Sequence, residues 1–374
     1  MMKIQEFDIV IVGAGIAGLT AGIHLRKRNL SVLIIEKAVF PRKKLCGGFL
    51  TYPAIREIVA LGFDSTDNSI FYPSSDVFIH HHGSELKLKL TQDAYMVSRF
   101  DFDHMLCRKY LEMGGELIEG TRATCIADDN TLLLDNGDTL RFNILIGADG
   151  ANSMVRKYIN RDIQRSDGFC VGKNYSLPIS SSLPQGFHLY MDLIDEGYGW
   201  CFAYTDRYAS VGVGGTKKDG MVLDAAKQLF ARLHIDEPHL EGAIIPNGKP
   251  ANILASGNIF LAGDATGLVD SVLGEGIYPA LLAGRIIGSK VGAGLTAKTY
   301  RKELKELTEI CQSARILGKL LADKNIKDML VHKGFSHPHF LKYLCEEIVL
   351  KKNQSYSHVL PSYMNGRKKL SARS

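Results

Sequence analysis

Gly13-Ala14-Gly15-Ile16-Ala17-Gly18 stands between the β-branched run Phe7–Val12 (FDIVIV) and an apolar segment, Leu19–Arg28, that reads as a helix. A run of that kind fits a strand buried in a parallel sheet. In the G-x-G-x-x-G spacing the first glycine permits a tight turn, and the second lets the backbone approach a pyrophosphate. The third lets helix pack on strand, with the helix N-terminus facing the anion. Leu30–Glu36 (LSVLIIE) reads as a second buried strand, completing a βαβ unit. Glu36 lies 18 residues beyond Gly18, placed to accept hydrogen bonds from an adenosine ribose. An acid there repels a 2′-phosphate, so FAD or NAD fits better than NADP. A second match, Gly292-Ala293-Gly294-Leu295-Thr296-Ala297, follows a helical segment rather than a strand. No sheet would position it.

Two further glycine–acid signatures lie downstream. Gly147-Ala148-Asp149-Gly150 ends the apolar strand Phe142–Ile146 and precedes Ser153, Val155 and Arg156. Gly263-Asp264 follows the strand Asn258–Ala262, which puts Asp264 at the carboxyl edge of a sheet, where ligands of open α/β folds lie. Gly274-Glu275-Gly276-Ile277 then opens a helix whose free N–H groups can face a polarised flavin oxygen. Three signatures in this order imply FAD held along its whole length, and hence a flavin redox enzyme.

Composition narrows the class. A chain of 374 residues suits two interlocked domains better than one core. The net charge of +5 is too slight to argue for nucleic acid. Arg367, Lys368, Lys369 and Arg373 read as a solvated end, with weak peripheral contact to anionic lipid as the alternative. Seven cysteines without C-x-x-C spacing argue against a disulfide framework, zinc site or iron–sulfur cluster, and fit a reducing cytoplasm. The apolar stretch Phe7–Leu25 is broken by Asp8, Gly13, Gly15, Gly18 and Gly22, so it reads as strand, turn and helix rather than signal or anchor.

The expected fold is α/β: a Rossmann-like FAD domain interleaved with an antiparallel-sheet substrate domain, plus C-terminal helices. The FAD domain is expected over 1–66, 94–167 and 252–298, and the substrate domain over 67–93 and 168–251, leaving 299–374 helical. Residues from Val77 to Leu90 alternate as a hairpin with one wet face. Phe100–Gly114 reads as a helix, and Asp135-Asn136-Gly137 as a turn. Phe169–Gly215 reads as strands, Asp219–Leu233 as a helix and Pro279–Val291 as another. Thr296–Lys351 is helical without a clear stop. His80-His81-His82 is expected in a solvated hairpin and not at a metal, because neighbours on a strand point to opposite faces.

GAGIAG, Glu36, VSRFDFDHML, GADGANSMVRK and LAGDATGLVDSVLGEGI together resemble the p-hydroxybenzoate hydroxylase class of flavoproteins. Within it, KLCGGFL at 44–50 and GYGWCFAY at 197–204 resemble the geranylgeranyl reductase family. The resemblance spans roughly residues 5–295. It implies that Gly13, Gly15 and Gly18, with Ile16 and Ala17, hold the FAD pyrophosphate, and that Glu36 and Lys37 lie at the adenosine. Arg99 would approach the pyrophosphate; Ala123, Asp149 and Gly150 would support the cofactor. Gly263 and Asp264 would meet the ribityl chain, and Gly274, Gly276 and Ile277 the isoalloxazine. Cys46 and Gly47 would line the flavin.

Tyr198, Trp200 and Phe202 match an element that borders an apolar substrate cavity in the family. Ala203 and Ser271 stand where the family has proline, which weakens the isoprenoid reading. A β-core role for Trp200, a plain buried thiol for Cys46 and a surface role for Arg99 are the structural alternatives. No catalytic residue is fixed; Cys46, Tyr198 and Trp200 are candidates. The resemblance implies a reductase of carbon–carbon double bonds in an apolar isoprenoid or lipid, drawing on NAD(P)H or another electron donor. A flavin monooxygenase or halogenase, and an electron-transfer flavoprotein, are the alternatives.

Overall fold

The computed structural model describes residues 4–160, 168–176, 185–204, 208–216, 219–236, 239–246, 250–349 and 356. The basic tail therefore lies outside the described residues.

Two eight-stranded sheets organise them. In the first, β1 (Ile4–Val12) is central and pairs in parallel with β2 (Leu33–Ile35) and β9 (Thr139–Gly147). β2 continues to β6 (Glu116–Ile118), and β9 continues to β16 (Ile259–Leu261), with β15 (Ala255–Ser256) at the edge. The hairpin β7 (Ala123–Asp128) and β8 (Thr131–Leu134) joins through β8 to β9. Ile9, Val10, Ile11 and Val12 are all buried, as expected of a parallel strand covered on both faces. Helix α1 (Ile16–Lys27) packs on α6 (Ile277–Lys290). α3 (Arg99–Glu112) also packs on α1, and α2 (Tyr52–Leu61) on α6.

The second sheet runs β14 (Glu241–Ile245), β10 (Gly168–Ser176), β13 (Tyr208–Gly215), β12 (Gly197–Ala203), β11 (Gly186–Tyr190), β4 (Tyr72–His81), β5 (Ser84–Met96) and β3 (Phe49–Leu50). It is antiparallel except where β11 meets β4 in parallel, Phe187 opposite Val77. β3 lies within the first segment of the chain yet pairs with the end of β5, Phe49 opposite Met96. α5 (Asp219–Arg232) covers one face, and α10 (Pro338–Val349) lies against β5.

The remaining pieces are α4 (Met154–Ile159), α7 (Ala297–Glu303), α8 (Lys305–Leu321) and α9 (Lys324–Ser336). The uninterrupted C-terminal helical stretch thus breaks into four. Asp323 marks one break, its side chain accepting from Ile326 N as an N-cap. Gly292 and Gly294 follow α6 at φ +73° and +89°, a turn with no strand before it.

Candidate functional site

The glycine turn after β1 is set by contact. A Cβ on Gly13, which sits at φ +101°, would lie 2.4 Å from the Ala148 carbonyl oxygen at the end of β9. One on Gly18 would lie 2.0 Å from Gly13 O. A Cβ on Gly15 would meet, among the described residues beyond its chain neighbours, nothing nearer than an Arg42 guanidinium nitrogen at 3.9 Å. The first and third glycines therefore close the turn, while the second leaves space for a ligand at the start of α1.

Gly15, Ile16, Ala17, Cys46, Gly47, Arg99, Gly150, Gly263, Asp264, Gly274, Gly276 and Ile277 line one cavity of about 250 Å³. Gly13, Gly18, Glu36, Lys37, Ala123 and Asp149 do not line it. Glu36 is buried beside the turn, its carboxylate accepting from Ala14 N at 2.8 Å and Ala38 N at 3.0 Å. Lys37 is exposed, and Ala123 is buried at the start of β7.

Arg99 does not offer a free guanidinium. It is buried and forms a bidentate pair with Asp103 one turn along α3, at 2.7 and 2.8 Å. Burial disfavours its charge, but Asp103 outweighs that and holds its pKa above the ordinary arginine value. Asp149 caps α4, one oxygen accepting from Met154 N and Val155 N, while its other oxygen is buried without a hydrogen bond. Burial raises its pKa, with Ser153 and the helix N–H groups acting in the opposite sense.

Arg42 is the residue that motif reading passed over. One guanidinium nitrogen donates to Ala14 O at 3.0 Å and stands 3.2 Å from Asp103. Its Nε is buried without a hydrogen-bond partner, 3.9 Å from Glu36. Its guanidinium carbon lies 5.0 Å above the Phe40 ring. A cation beside the open side of Gly15 suits a diphosphate. The signal was a lone arginine in PRKK, which no spacing rule singles out. Lys44 was missed likewise; its Nζ lies 3.8 Å from Asp264 in the cavity wall.

At the other end, Gly274–Ile277 opens α6. Glu275 accepts from Tyr278 N at 2.6 Å, and Asp270 accepts from Val272 N and Leu273 N. Tyr356 donates to the other Asp270 oxygen. These carboxylates shape the loop that faces the cavity.

The wall opposite comes from β12. Tyr198, Trp200 and Phe202 share one face of the strand and all line the cavity, whereas Cys201 belongs to the core beneath α5. Tyr198 Oη donates to Leu273 O at 2.6 Å, and burial pushes its pKa up. Trp200 Nε1 donates to Ser210 Oγ at 3.0 Å, and Ser210 in turn donates to Cys46 O at 3.0 Å. Tyr204 donates to Gly47 O at 2.8 Å. The Cys46-Gly47-Gly48 loop is thereby pinned to the second sheet from two sides. Phe49, Phe187 and Leu189 complete an apolar surface around it.

His80 and His81 depart from the expected solvated hairpin, whereas His82 at its tip is exposed. His80 Nε2 lies 3.0 Å from His188 Nδ1, and its ring stacks on Tyr190 at 4.3 Å. His81 is buried. His82 and Gly83 form the turn itself at φ +46° and +79°, so strand alternation ends at His81.

Known proteins resemble the chain in sequence and in fold. Residues 11–42 match the model of the NAD(P)-binding Rossmann-like domain. A menaquinone reductase of Mycolicibacterium smegmatis is 29% identical over 77% of this chain and 76% of its own length. A geranylgeranyl diphosphate reductase of Rhodobacter capsulatus is 28% identical over 75% of this chain and 74% of its own. The chain is an FAD-dependent oxidoreductase similar in sequence to these reductases. Its fold is that of a geranylgeranyl bacteriochlorophyll reductase-like protein of Thermoplasma acidophilum, with TM-score 0.78 and 19% identity over 96% of both chains. Among the described residues no helix is long and apolar enough to cross a membrane.

Proposed function

We propose that the protein reduces carbon–carbon double bonds of an isoprenoid or other lipid held in this cavity. The observation that carries the reading is one cavity in which the glycine turn and Asp264 face the aromatic wall of Tyr198, Trp200 and Phe202. The open side of Gly15, the unsatisfied Arg42 Nε and the Asp264 carboxylate fit a dinucleotide with a polyol chain. When bound, reduced FAD supplies a hydride to one alkene carbon.

The chain's own residues do the rest. Gly15, Arg42 and the N-terminus of α1 hold the diphosphate, Glu36 the adenosine ribose, and Asp264 with Lys44 the ribityl hydroxyls. Gly274–Ile277 meets the isoalloxazine. The apolar wall orients the chain of the substrate and excludes water. Tyr198 and Trp200 have committed their donors to Leu273 and Ser210, so they position rather than protonate. Cys46 gives its thiol proton to the second alkene carbon and regains it from solvent. NAD(P)H or another donor returns two electrons for the next cycle. A cytoplasmic protein in peripheral contact with a lipid surface fits such a substrate.

Stopped-flow reoxidation of the reduced enzyme tests this. Slow reaction with air and fast reoxidation by a polyprenyl lipid is expected, with Cys46→Ala slowing the lipid-dependent phase. A long-lived oxygen adduct, with no response to lipid, would instead make the protein a monooxygenase.

A further inference from the structure

We propose that His81, His82 and Asp328 form a site for a divalent transition-metal ion, zinc by preference. The ligating atoms of all three lie within 4.8 Å of one another. The objection to a histidine run, that neighbours on a strand diverge, does not apply here. His82 occupies the turn at φ +46°, which brings its ring to 4.2 Å from that of His81, centroid to centroid. Asp328 approaches from α9, 3.4 Å from His81 Nε2. Two ligands on a tetrahedral zinc stand roughly 3.4 Å apart, given bonds of about 2.0–2.1 Å.

Imidazole and carboxylate are ordinary ligands for such an ion. His81 is 8% exposed, and its Nε2 is turned toward Asp328. The surrounding charges are mixed. Asp192 lies 4.0 Å from His82 Nδ1 but is held by Arg232 at 3.0 Å. Lys327 is turned away, its Nζ donating to Ile194 O and Gly197 O. Three protein ligands and a water would complete the shell.

The site would tie the β4–β5 hairpin tip to α9. α9 packs on α10, which gives Cys345 and Val349 to the cavity wall. The ion would act as a clamp on that wall.

Untagged FAD-loaded protein, freed of metal by chelation, is titrated with zinc chloride by calorimetry and by thermal melting. One ion per chain with micromolar or tighter affinity and a raised Tm are expected. His82→Asn, which keeps a residue that tolerates positive φ, and Asp328→Asn should each weaken binding about tenfold or more. His339→Ala, on another helix surface, should bind as the parent does. Absence of binding up to about 100 μM zinc, or equal affinity in both ligand variants, would overturn the site.

Discussion

Ser210 Oγ accepts from Trp200 Nε1 and donates to Cys46 O, so one fully buried hydroxyl fixes both the aromatic wall and the thiol loop. Ser210→Ala leaves a buried N–H and a buried carbonyl unpaired. The expected cost is about 1–3 kcal/mol, measured by denaturant unfolding, together with slower lipid turnover. Unchanged stability would mean that water replaces the hydroxyl. Asp264 offers a second test. Its carboxylate faces the cavity at the carboxyl edge of β16, with Lys44 3.8 Å away. Asp264→Ala should weaken FAD binding by about 10–100-fold, the equivalent of roughly 1.5–3 kcal/mol for a charge-assisted hydrogen bond. Parental affinity for FAD would remove Asp264 from the ribityl contacts. At this scale the sequence was readable where backbone geometry dictates the residue type, as at Gly13 and Gly18. It was opaque where contacts between separate segments decide: no local pattern showed that Arg42 would reach Ala14 O and stand beside Gly15, whereas the Arg99–Asp103 pair, one helical turn apart, was there to be read.

Elements were legible in proportion to how local their cause is. The βαβ unit follows from β-branched runs and glycine spacing, and β1, α1 and β2 stand where those place them. The parallel pairing of β11 with β4 joins strands about a hundred residues apart, and no local pattern encodes it. α2 was not foreseen, because its amphipathic face buries only Ala54, Ile55, Ile58 and Leu61. The α1–α6 contact makes a pH prediction. His24 on α1 is mostly buried against Gly288, and its Nε2 has no hydrogen bond. Burial, then Lys27 and Arg285, lower its pKa to about 4 from 6.5. As pH falls, the unfolded chain takes up this proton before the folded one. The stability is therefore present above pH 6.5 and lost as pH falls toward about 4. His24→Gln should flatten the Tm-versus-pH curve in that window by about 1–2 kcal/mol, allowing for partial exposure. A variant whose curve parallels the parent's would show that other groups govern acid unfolding.

On the scale of the whole molecule, the first sheet and its helices form one apolar core, and the second sheet carries two more, one on each face. The proposed FAD contacts draw on both halves: Gly15, Ile16 and Asp264 from the first, and the Cys46–Gly48 loop, which Ser210 and Tyr204 fasten to the second. A ligand in that cavity is therefore a cross-link between cores. Any ligand that binds only the folded chain raises stability by mass action, about 2.7 kcal/mol at a hundredfold excess over Kd. Here the gain should fall on the coupling between halves as well as on the total. FAD-loaded protein is expected to melt in one calorimetric transition. After removal of the cofactor, Tm should fall by several degrees and the transition should broaden or split, with readdition of FAD restoring a single peak. FMN lacks the adenosine half that the glycine turn and Glu36 would hold, so it should restore little. If the stripped protein keeps one sharp transition merely shifted downward, the direct contacts between the sheets suffice for cooperativity, and the cofactor adds stability without joining the halves.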